Sequence, residues 1–476
     1  MDEVSTTAPL STRVRVGYGA GSVATGAFGT VPGLMLLPYL TDTLGIAAAV
    51  AGLVVFLPKA WDVVLNPIAG RISDRSTDPR GPRRPFLLKG GLLLAFFFAL
   101  LFAAPDLGSR LIDALWVLMC FIACATAYAF FQVPYVAMPA EITDSYDERT
   151  RLMTWRVAIL AFAIMLSGAS APAIRDALGG RAGYRVMGVA VAVLLVVGVV
   201  GAYLGTRSAP IGRVSAGGGT LREQLAIVAG ARDFRLLLST FLVQALAIGS
   251  MLAGVAYVSR WVLADKAAAT ILFVCFVGPA LVLTPVWSTV GQRIGKKRGY
   301  LISSVVLAAA ALLLLWSRSA PTWWVYAATG LVGVGYAGAQ VFPMAMLPDA
   351  AAVDARRTGE NRAGVYTGVW TAGETLGLAL GPAVFALILA LGSYRSQGQP
   401  DDWSVSFQPD SALTAIVLGF SLVPAVLILA SLAFLSRYSL DYSVVEQRAD
   451  DVTVVEQRAK PADSRDHIGD EEGDLS

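Results

Sequence analysis

Charged side chains are scarce in this chain. Asp, Glu, Lys and Arg make up 15% of 476 residues, whereas 56% are hydrophobic and the mean hydropathy is +0.63. Soluble domains carry about 25% charged residues, so the composition excludes an ordinary soluble protein. Apolar stretches long enough to cross about 30 Å of hydrocarbon recur along the chain. They lack alternation of period two, which predicts an all-α integral membrane protein rather than a barrel.

Histidine and cysteine are almost absent as well. The one histidine, His467, lies in a polar C-terminal stretch, and Cys120, Cys124 and Cys275 lie inside apolar stretches. Clusters of metal ligands and Ser–His or Cys–His nucleophilic sites therefore lack their components in the membrane body. Buried thiols in apolar spans indicate packing rather than disulfides. We expect no enzyme, no metal site and no cofactor.

The hydropathy pattern predicts twelve membrane-spanning helices in a lipid bilayer. Their approximate bounds are 16–41, 47–71, 86–105, 112–140, 153–175, 185–206, 234–259, 268–292, 299–317, 322–347, 361–392 and 412–436. We expect the protein to be a monomer with a small-molecule substrate.

Six spans, a polar connection and six more spans predict two bundles that arose by duplication. We expect an N-terminal bundle at 1–206, a cytoplasmic linker at 207–233, a C-terminal bundle at 234–436 and a disordered cytoplasmic tail at 437–476. The linker segment 213–219 is rich in glycine and typical of a flexible tether. The tail is polar and repeats one hexapeptide, VVEQRA, which indicates no folded core.

Positive charge is concentrated in the even-numbered loops. The loop after span two carries Arg71, Arg75, Arg80, Arg83, Arg84 and Lys89, and the loop after span eight carries Arg293, Lys296, Lys297 and Arg298. Lys and Arg in short loops favour the cytoplasmic side, so both termini should face the cytoplasm of a bacterial-type inner membrane. The N-terminus shows no cleavable signal, and the basic loops lack the aromatic surface of a nucleic-acid binder.

Span two contains the most informative polar group of the chain. Lys59 and Asp62 are three residues apart and Asn66 follows one turn later, so all three lie on one helical face. Each buried charge costs about 2.5 to 3.5 kcal/mol in a membrane. Two interpretations stay open: an ion pair that only holds helices together, or part of a transport site in a cavity.

Other polar and aromatic residues lie deep in the predicted spans. Arg156 on span five offers a fork of donors for carboxylate, phosphate or vicinal hydroxyls, but it could instead reach out to the interface. Glu374 on span eleven suits a proton carrier if it is unpaired, because desolvation favours the protonated form, or it could pair with Lys59 or Arg156. Further candidate substrate contacts are Gln132, Tyr135, Trp61 and Trp370.

These motifs together resemble one family, the glycoside-pentoside-hexuronide:cation symporters of the major facilitator superfamily. The likeness rests on several short segments of this sequence: Tyr18-Gly19-Ala20-Gly21, Tyr39-Leu40-Thr41-Asp42, Trp61-Asp62 with Asn66-Pro67 and Gly70, Gly81 with Arg83-Arg84-Pro85, and Val133-Pro134-Tyr135. It extends over at least the first eleven spans.

The resemblance implies two six-helix bundles, a central site and alternating access driven by H⁺ or Na⁺. It assigns cation coupling to Asp62, with Asn66 in place of a second carboxylate, and it places Gly26 and Gln132 where the sugar carriers have sugar-binding carboxylates. Arg156 matches a substrate-binding arginine, and Glu374 stands where the sugar carriers have a lysine. We expect Gly70, Asp74, Arg83 and Arg84 to form a gating loop.

The leading hypothesis is cation-coupled symport, with H⁺ favoured, of a sugar-like or other small organic solute, with Asp62 and Glu374 as coupling carboxylates. One alternative is a carrier of lysolipids or other amphiphiles, because two sugar anchors are absent. The other alternative is a receptor that kept the fold without transport, since function belongs to sites rather than folds.

Overall fold

A computed structural model describes residues 10–76, 78, 81, 83–106, 108–143, 146–209, 221–358, 363–396 and 407–440. In this part of the chain twelve helices are long and apolar enough to cross a membrane, which confirms the predicted all-α architecture. Spans one to twelve are Thr12–Thr43, Ala48–Ser73, Arg84–Leu101, Arg110–Ala137, Arg151–Leu178, Gly180–Thr206, Arg232–Val262, Ala268–Ile294, Lys296–Arg318, Thr322–Asp354, Gly364–Leu391 and Asp410–Ser436.

Local sequence explains several helix boundaries. Ser11 caps span one by accepting a hydrogen bond from the backbone N–H of Val14. Span eight ends at Gly295, whose φ of +89° favours a residue without a Cβ. Span twelve is interrupted at Ser421, where one α-helix ends at Phe420 and the next begins at Leu422.

Spans one and seven finish in the same unusual way. Each passes from α-helix into a short π-helical turn, Tyr39–Thr43 in span one and Val258–Val262 in span seven. Single π-turns inside helices often mark functional sites. These two occupy matching places, because each lies at the end of the first span of its six-helix set.

Glycines allow close packing within each set. A Cβ placed on Gly17 of span one would lie 2.4 Å from the Cα of Gly205 in span six. A Cβ on Gly381 of span eleven would lie 2.5 Å from the Cα of Gly249 in span seven. Neither pair tolerates a side chain, so the backbones touch, as is common where helices pack in lipid.

The segment between spans six and seven is partly helical. The helix Leu221–Gly230 contacts spans seven and eleven, and its Val228 is buried. The connection between spans six and seven therefore includes an ordered helix, because the apolar side chain of Val228 is buried against the bundle. The predicted flexible tether at 213–219 and the tail from 441 lie outside the described residues.

The two six-helix sets meet mainly through three pairs of spans: one with seven, two with eleven, and five with eight, with a smaller contact between spans one and eleven. Span one begins and span twelve ends at the same end of the molecule, which we call the terminal end. We call the opposite end the outer end. Thr270 of span eight donates a hydrogen bond to the carbonyl of Ala169 in span five, at 3.3 Å. This contact and those described below close the outer end.

Candidate functional site

The span-two charges form an ion pair inside the protein. The Nζ of Lys59 lies 3.8 Å from Oδ2 of Asp62, whose residue is 2% exposed. Among the described residues neither carboxylate oxygen of Asp62 has a hydrogen-bond partner. The spacing of three residues therefore brings the two charges together, as the sequence predicts. At 3.8 Å the contact is electrostatic, and both carboxylate oxygens can still accept hydrogen bonds.

Aromatic rings from spans one and four surround the ammonium of Lys59. Its Nζ lies 4.4 Å from the ring centroid of Phe28, 5.7 Å from that of Phe121 and 5.9 Å from that of Tyr128. Cations bind ring faces at about 6 Å or less, and more strongly when water is excluded. The three rings and Asp62 together stabilise the ammonium of Lys59 where span two faces the interior of the bundle.

Spans one, four and five build the adjoining wall. The hydroxyl of Tyr135 donates to the carbonyl of Tyr18 at 2.8 Å and is 2.9 Å from the hydroxyl of Ser22. The guanidinium carbon of Arg156 lies 5.6 Å from the centre of the Tyr135 ring. Tyr135 therefore joins spans one and four and also supports the arginine, which faces the interior of the bundle.

Several polar atoms of this wall are buried without a partner in the described structure. They are Oη of Tyr18, Oε1 of Gln132 and Nε of Arg156. The remaining contact of Arg156 is a 3.9 Å hydrogen bond to the sulfur of Met153. Buried polar groups are normally satisfied, so each of these atoms needs a water molecule or a ligand as its partner.

Gly26 of span one lies directly against span five. A Cβ placed on Gly26 would lie 3.0 Å from the Cβ of Ala163 and 3.2 Å from the carbonyl oxygen of Leu160. Both belong to span five, which packs directly against span one at this level. A side chain at this position therefore requires span five to move by a few tenths of an ångström.

Span eleven places Glu374 on the opposite wall. It lines a small cavity with Gln244 of span seven and Tyr336 and Gln340 of span ten. Within the described residues Glu374 forms no ion pair within 4 Å, so the alternative of a salt bridge to Lys59 or Arg156 is not realised in this structure. Gln340 donates to the hydroxyl of Tyr336 at 2.9 Å, which orients the groups around the carboxylate.

Tyr128 connects the two walls, and sequence reasoning missed it. This half-buried tyrosine of span four interacts electrostatically with Asp62, Arg156 and Glu374. All three charged groups, which come from spans two, five and eleven, therefore lie within electrostatic range of its hydroxyl. A signal was present in the sequence, because Tyr128 precedes Gln132 by four residues and shares its helical face.

The remaining predicted contacts lie elsewhere. Trp61 is 44% exposed and its indole N–H donates to Thr126 at 3.3 Å. Trp370 is 1% exposed and stacks on Phe241, with ring centroids 4.4 Å apart, inside the second helix set. Asn66 is half-buried on span two. The structure thus brings Lys59 beside Asp62 and Arg156 beside Tyr135, with Tyr128 in electrostatic range of both groups. Trp370 lies in the other helix set.

The predicted gating loop is only partly described. Arg84 is 8% exposed and donates to the carbonyl oxygen of Ala209 at 2.5 Å, while Arg83 is 6% exposed. A Cβ on Gly70 would lie 3.5 Å from a methyl of Val133. The side chain of Asp74 lies outside the described set. In this structure Arg84 links the start of span three to the end of span six.

A second polar cluster joins the two helix sets at the outer end. We call it the outer latch, and it comprises Thr41, Asp42, Tyr257, Arg260 and Tyr394. Asp42 is 5% exposed, lies 3.3 Å from Nη1 of Arg260 and accepts a hydrogen bond from the hydroxyl of Tyr394. The hydroxyls of Thr41 and Tyr257 are 2.7 Å apart.

Tyr394 lies beyond the end of span eleven. Burial and the adjacent carboxylate of Asp42 raise the pKa of Tyr394 well above its ordinary value, so the phenol stays protonated and donates. The indole N–H of Trp261 in turn donates to the Tyr394 oxygen at 2.9 Å. The latch thus connects the π-helical turns of spans one and seven through charge-assisted bonds, the stronger class of hydrogen bond.

Comparison with known proteins decides the family. A profile described as MFS/sugar transport protein matches residues 17–442. The chain belongs to this MFS sugar-transport family. The match spans both helix sets, so the family resemblance derived from the motifs is confirmed.

Other members of this MFS sugar-transport family align with this chain over nearly their whole length. An uncharacterized symporter of Synechocystis is 25% identical, with 90% of this chain and 94% of that protein covered. A glucuronide carrier protein homolog of Escherichia coli is 26% identical, with coverage of 88% and 92%. The crystal structure of a D-xylose-proton symporter superposes with a TM-score of 0.65 at 13% identity, covering 90% and 98% of the two chains, which shows the shared fold.

Proposed function

We propose that this chain is a proton-coupled symporter that moves a sugar-like solute across the inner membrane by alternating access, with both termini in the cytoplasm. The family membership supports cation-coupled transport of sugar-like solutes. The choice of the proton rests mainly on Glu374. This carboxylate lines a cavity opposite the span-two pair and has no cation partner in the described structure.

The surroundings of Asp62 argue against sodium as the coupling ion. Sodium needs several oxygen ligands, whereas Asn66 replaces the second carboxylate and the ammonium of Lys59 already lies 3.8 Å from Asp62. A cation held by the protein itself competes with a free one for the same carboxylate. A proton needs a single carboxylate, which Glu374 provides.

The closed outer end fits one state of the transport cycle. Contacts of the outer latch join the two helix sets, so the solute cannot pass between them at that end. Alternating access then requires the latch to break while the terminal end closes. A closed outer end, with the basic loops in the cytoplasm, supports assigning this conformation to a state of the proposed cycle that is closed to the outside.

Glu374→Gln tests the proposal because it retains shape but cannot carry a proton. In proteoliposomes we expect exchange of solute across the membrane to continue while accumulation driven by a pH gradient is lost. Asp410→Asn is the matched control, since Asp410 is an exposed carboxylate paired with Arg318 at the outer end. Proton-driven accumulation that persists in well-folded Glu374→Gln protein would refute the assignment.

The substrate class needs its own measurement. Any ligand that binds only the folded protein raises its melting temperature. A thermal-shift series with sugars, glycosides, organic acids and a lysophosphatidylcholine therefore compares the solute and amphiphile interpretations directly. Stabilisation by the lysolipid alone would favour an amphiphile carrier.

A further inference from the structure

A polar cavity of about 280 Å³ lies beside the outer latch. Its lining comes from both helix sets. The ends of spans one and five and the start of span six form one side, and the end of span seven and the loop after it form the other. Because its two sides belong to different sets, the cavity can exist only while the outer end is closed. Anything bound in it then contacts both sets at once.

The charged side chains described around this cavity carry an excess of positive charge. Three are cationic and two are anionic: Arg175, Arg260, Lys266, Asp42 and Asp176. Each carboxylate lies beside a guanidinium, with Asp42 at 3.3 Å from Arg260 and Asp176 at 2.6 Å from Arg175. The ammonium of Lys266 gives the lining one net positive charge, so the cavity attracts an anion.

The first helix set also contributes hydrogen-bond donors to this lining. Arg175 uses its two terminal nitrogens on Asp176 and on the Tyr184 oxygen, at 2.6 and 3.5 Å. Its Nε is buried with no partner among the described residues. Span six begins beside it, and its N-cap, Gly179, has no side chain that accepts from the first N–H groups of the helix. A guanidinium and the N–H groups of a helix start both bind oxyanions.

We propose that this cavity binds a small oxyanion from the outer medium, with inorganic phosphate as the probe, and that the bound anion holds the outer end closed. Arg175 and the first N–H groups of span six bind it from one helix set, and the ammonium of Lys266 binds it from the other. Arg260 stays with Asp42 in the outer latch. The anion regulates the carrier and is not the transported solute.

The effect on closure follows from where the donors lie. Opening of the outer end separates Arg175 from Lys266, since they belong to different helix sets, and neither one alone provides the full group of donors. The anion therefore binds the closed state more tightly than the open one. By linkage, it shifts the balance of the two states towards closure by the ratio of its two affinities.

Isothermal titration of the purified full-length protein with sodium phosphate tests binding. Sodium chloride at the same ionic strength is the reference, because chloride has the charge but lacks the paired oxygens that suit a guanidinium. We expect saturable binding of phosphate that chloride does not reproduce. Lys266→Gln should weaken it about tenfold, since it removes the contact from one helix set. Lys266 is exposed, so this variant should fold.

Three further variants separate the site from general charge. Arg318→Gln removes another arginine of the outer end, paired with Asp410, and should bind phosphate like the unaltered protein. Lys266→Arg keeps the charge and should retain binding, whereas Arg175→Lys removes the Nε donor and should weaken it. Equal binding of phosphate and chloride overturns the proposal, and so does an unchanged phosphate affinity in folded Lys266→Gln protein.

Distances between spin labels test the effect on closure. Labels on Ala169→Cys and Thr270→Cys, in a protein without native cysteines, join the two helix sets where a hydrogen bond closes the outer end. Phosphate should raise the ratio of short-distance to long-distance populations severalfold, and Lys266→Gln should abolish this response. Phosphate binding without any change in the ratio overturns the link to closure. A ratio that follows the phosphatidylglycerol content of nanodiscs and ignores added phosphate overturns the free ion as the ligand.

Discussion

Lys59 and Asp62 stabilise each other in a place where neither charge is tolerated alone. We expect Lys59→Met to lower the free energy of unfolding by about 3 kcal/mol, because it leaves the carboxylate of Asp62 buried and unpaired. Asp62→Asn should have a similar cost, since it leaves the ammonium with only its aromatic rings. The double substitution should recover much of the loss, with a coupling energy of about 2 kcal/mol.

Unfolding titrations in mixed detergent micelles measure this cycle, and solute uptake measures the function. The double variant should be stable yet inactive in proton-driven uptake, because it has lost Asp62, one of the two coupling carboxylates expected from the sequence. Additive costs in the cycle would show that the two charges do not interact. Full uptake by the stable double variant would remove Asp62 from the coupling mechanism.

Part of this site follows from sequence and part does not. Helical periodicity is enough to place Lys59 beside Asp62, since the two residues belong to one turn of one helix. The rings of Phe28 and Phe121 come from spans one and four, and periodicity within a span says nothing about which spans are neighbours. Arg156 illustrates the same limit. Its position along span five allows the side chain either to reach the membrane interface or to face the interior of the bundle, and the sequence does not distinguish the two.

The π-helical turns of spans one and seven carry the outer latch. Each turn directs one charged side chain towards the other helix set, Asp42 from Tyr39–Thr43 and Arg260 from Val258–Val262. A hydrogen bond to a charged group contributes about 1.5 kcal/mol or more. Weakening the latch should therefore change the balance between the two access states by about tenfold.

Asp42→Ala tests this expectation with spin labels across the outer end. Thr270 donates a hydrogen bond to the Ala169 carbonyl, so labels on the pair Ala169→Cys and Thr270→Cys should report a short distance when the outer end is closed. Adding Asp42→Ala should lower the ratio of the short-distance population to the long-distance population about tenfold. Cys120, Cys124 and Cys275 must first be replaced. An unchanged ratio would exclude Asp42 as a determinant of closure.

No periodicity in the sequence predicted these turns. Tyr39 to Asp42 stood out as a family motif, but π-helical geometry depends on the residues that face it from the other helix set, such as Tyr257 and Tyr394. Most helix bounds, in contrast, are predicted to within a few residues, because hydropathy reports directly on what lies in lipid. Span ten is an exception, since it continues to Asp354 rather than ending at 347.

The distribution of positive charge predicts the orientation of the whole molecule. Ser436 is exposed at the terminal end and Ser319 at the outer end, so Ser436→Cys and Ser319→Cys in a protein without native cysteines form a matched pair. An impermeant thiol reagent applied to intact cells should label the second and spare the first. The reverse pattern would show that the outer latch lies on the cytoplasmic side of the membrane, and the proposed orientation would be wrong.

Gly26 limits which side chains span one can carry in this bundle. An aspartate at this position would place its Cβ 3.0 Å from the Cβ of Ala163 and 3.2 Å from the carbonyl oxygen of Leu160, so span five would have to move by a few tenths of an ångström. Overpacking of this kind costs about 1 to 3 kcal/mol before any new ligand contact forms. A carboxylate introduced there is then harmful on its own and becomes useful only after compensating changes in a neighbouring helix. A change of specificity through this position would have to pass through a less stable intermediate.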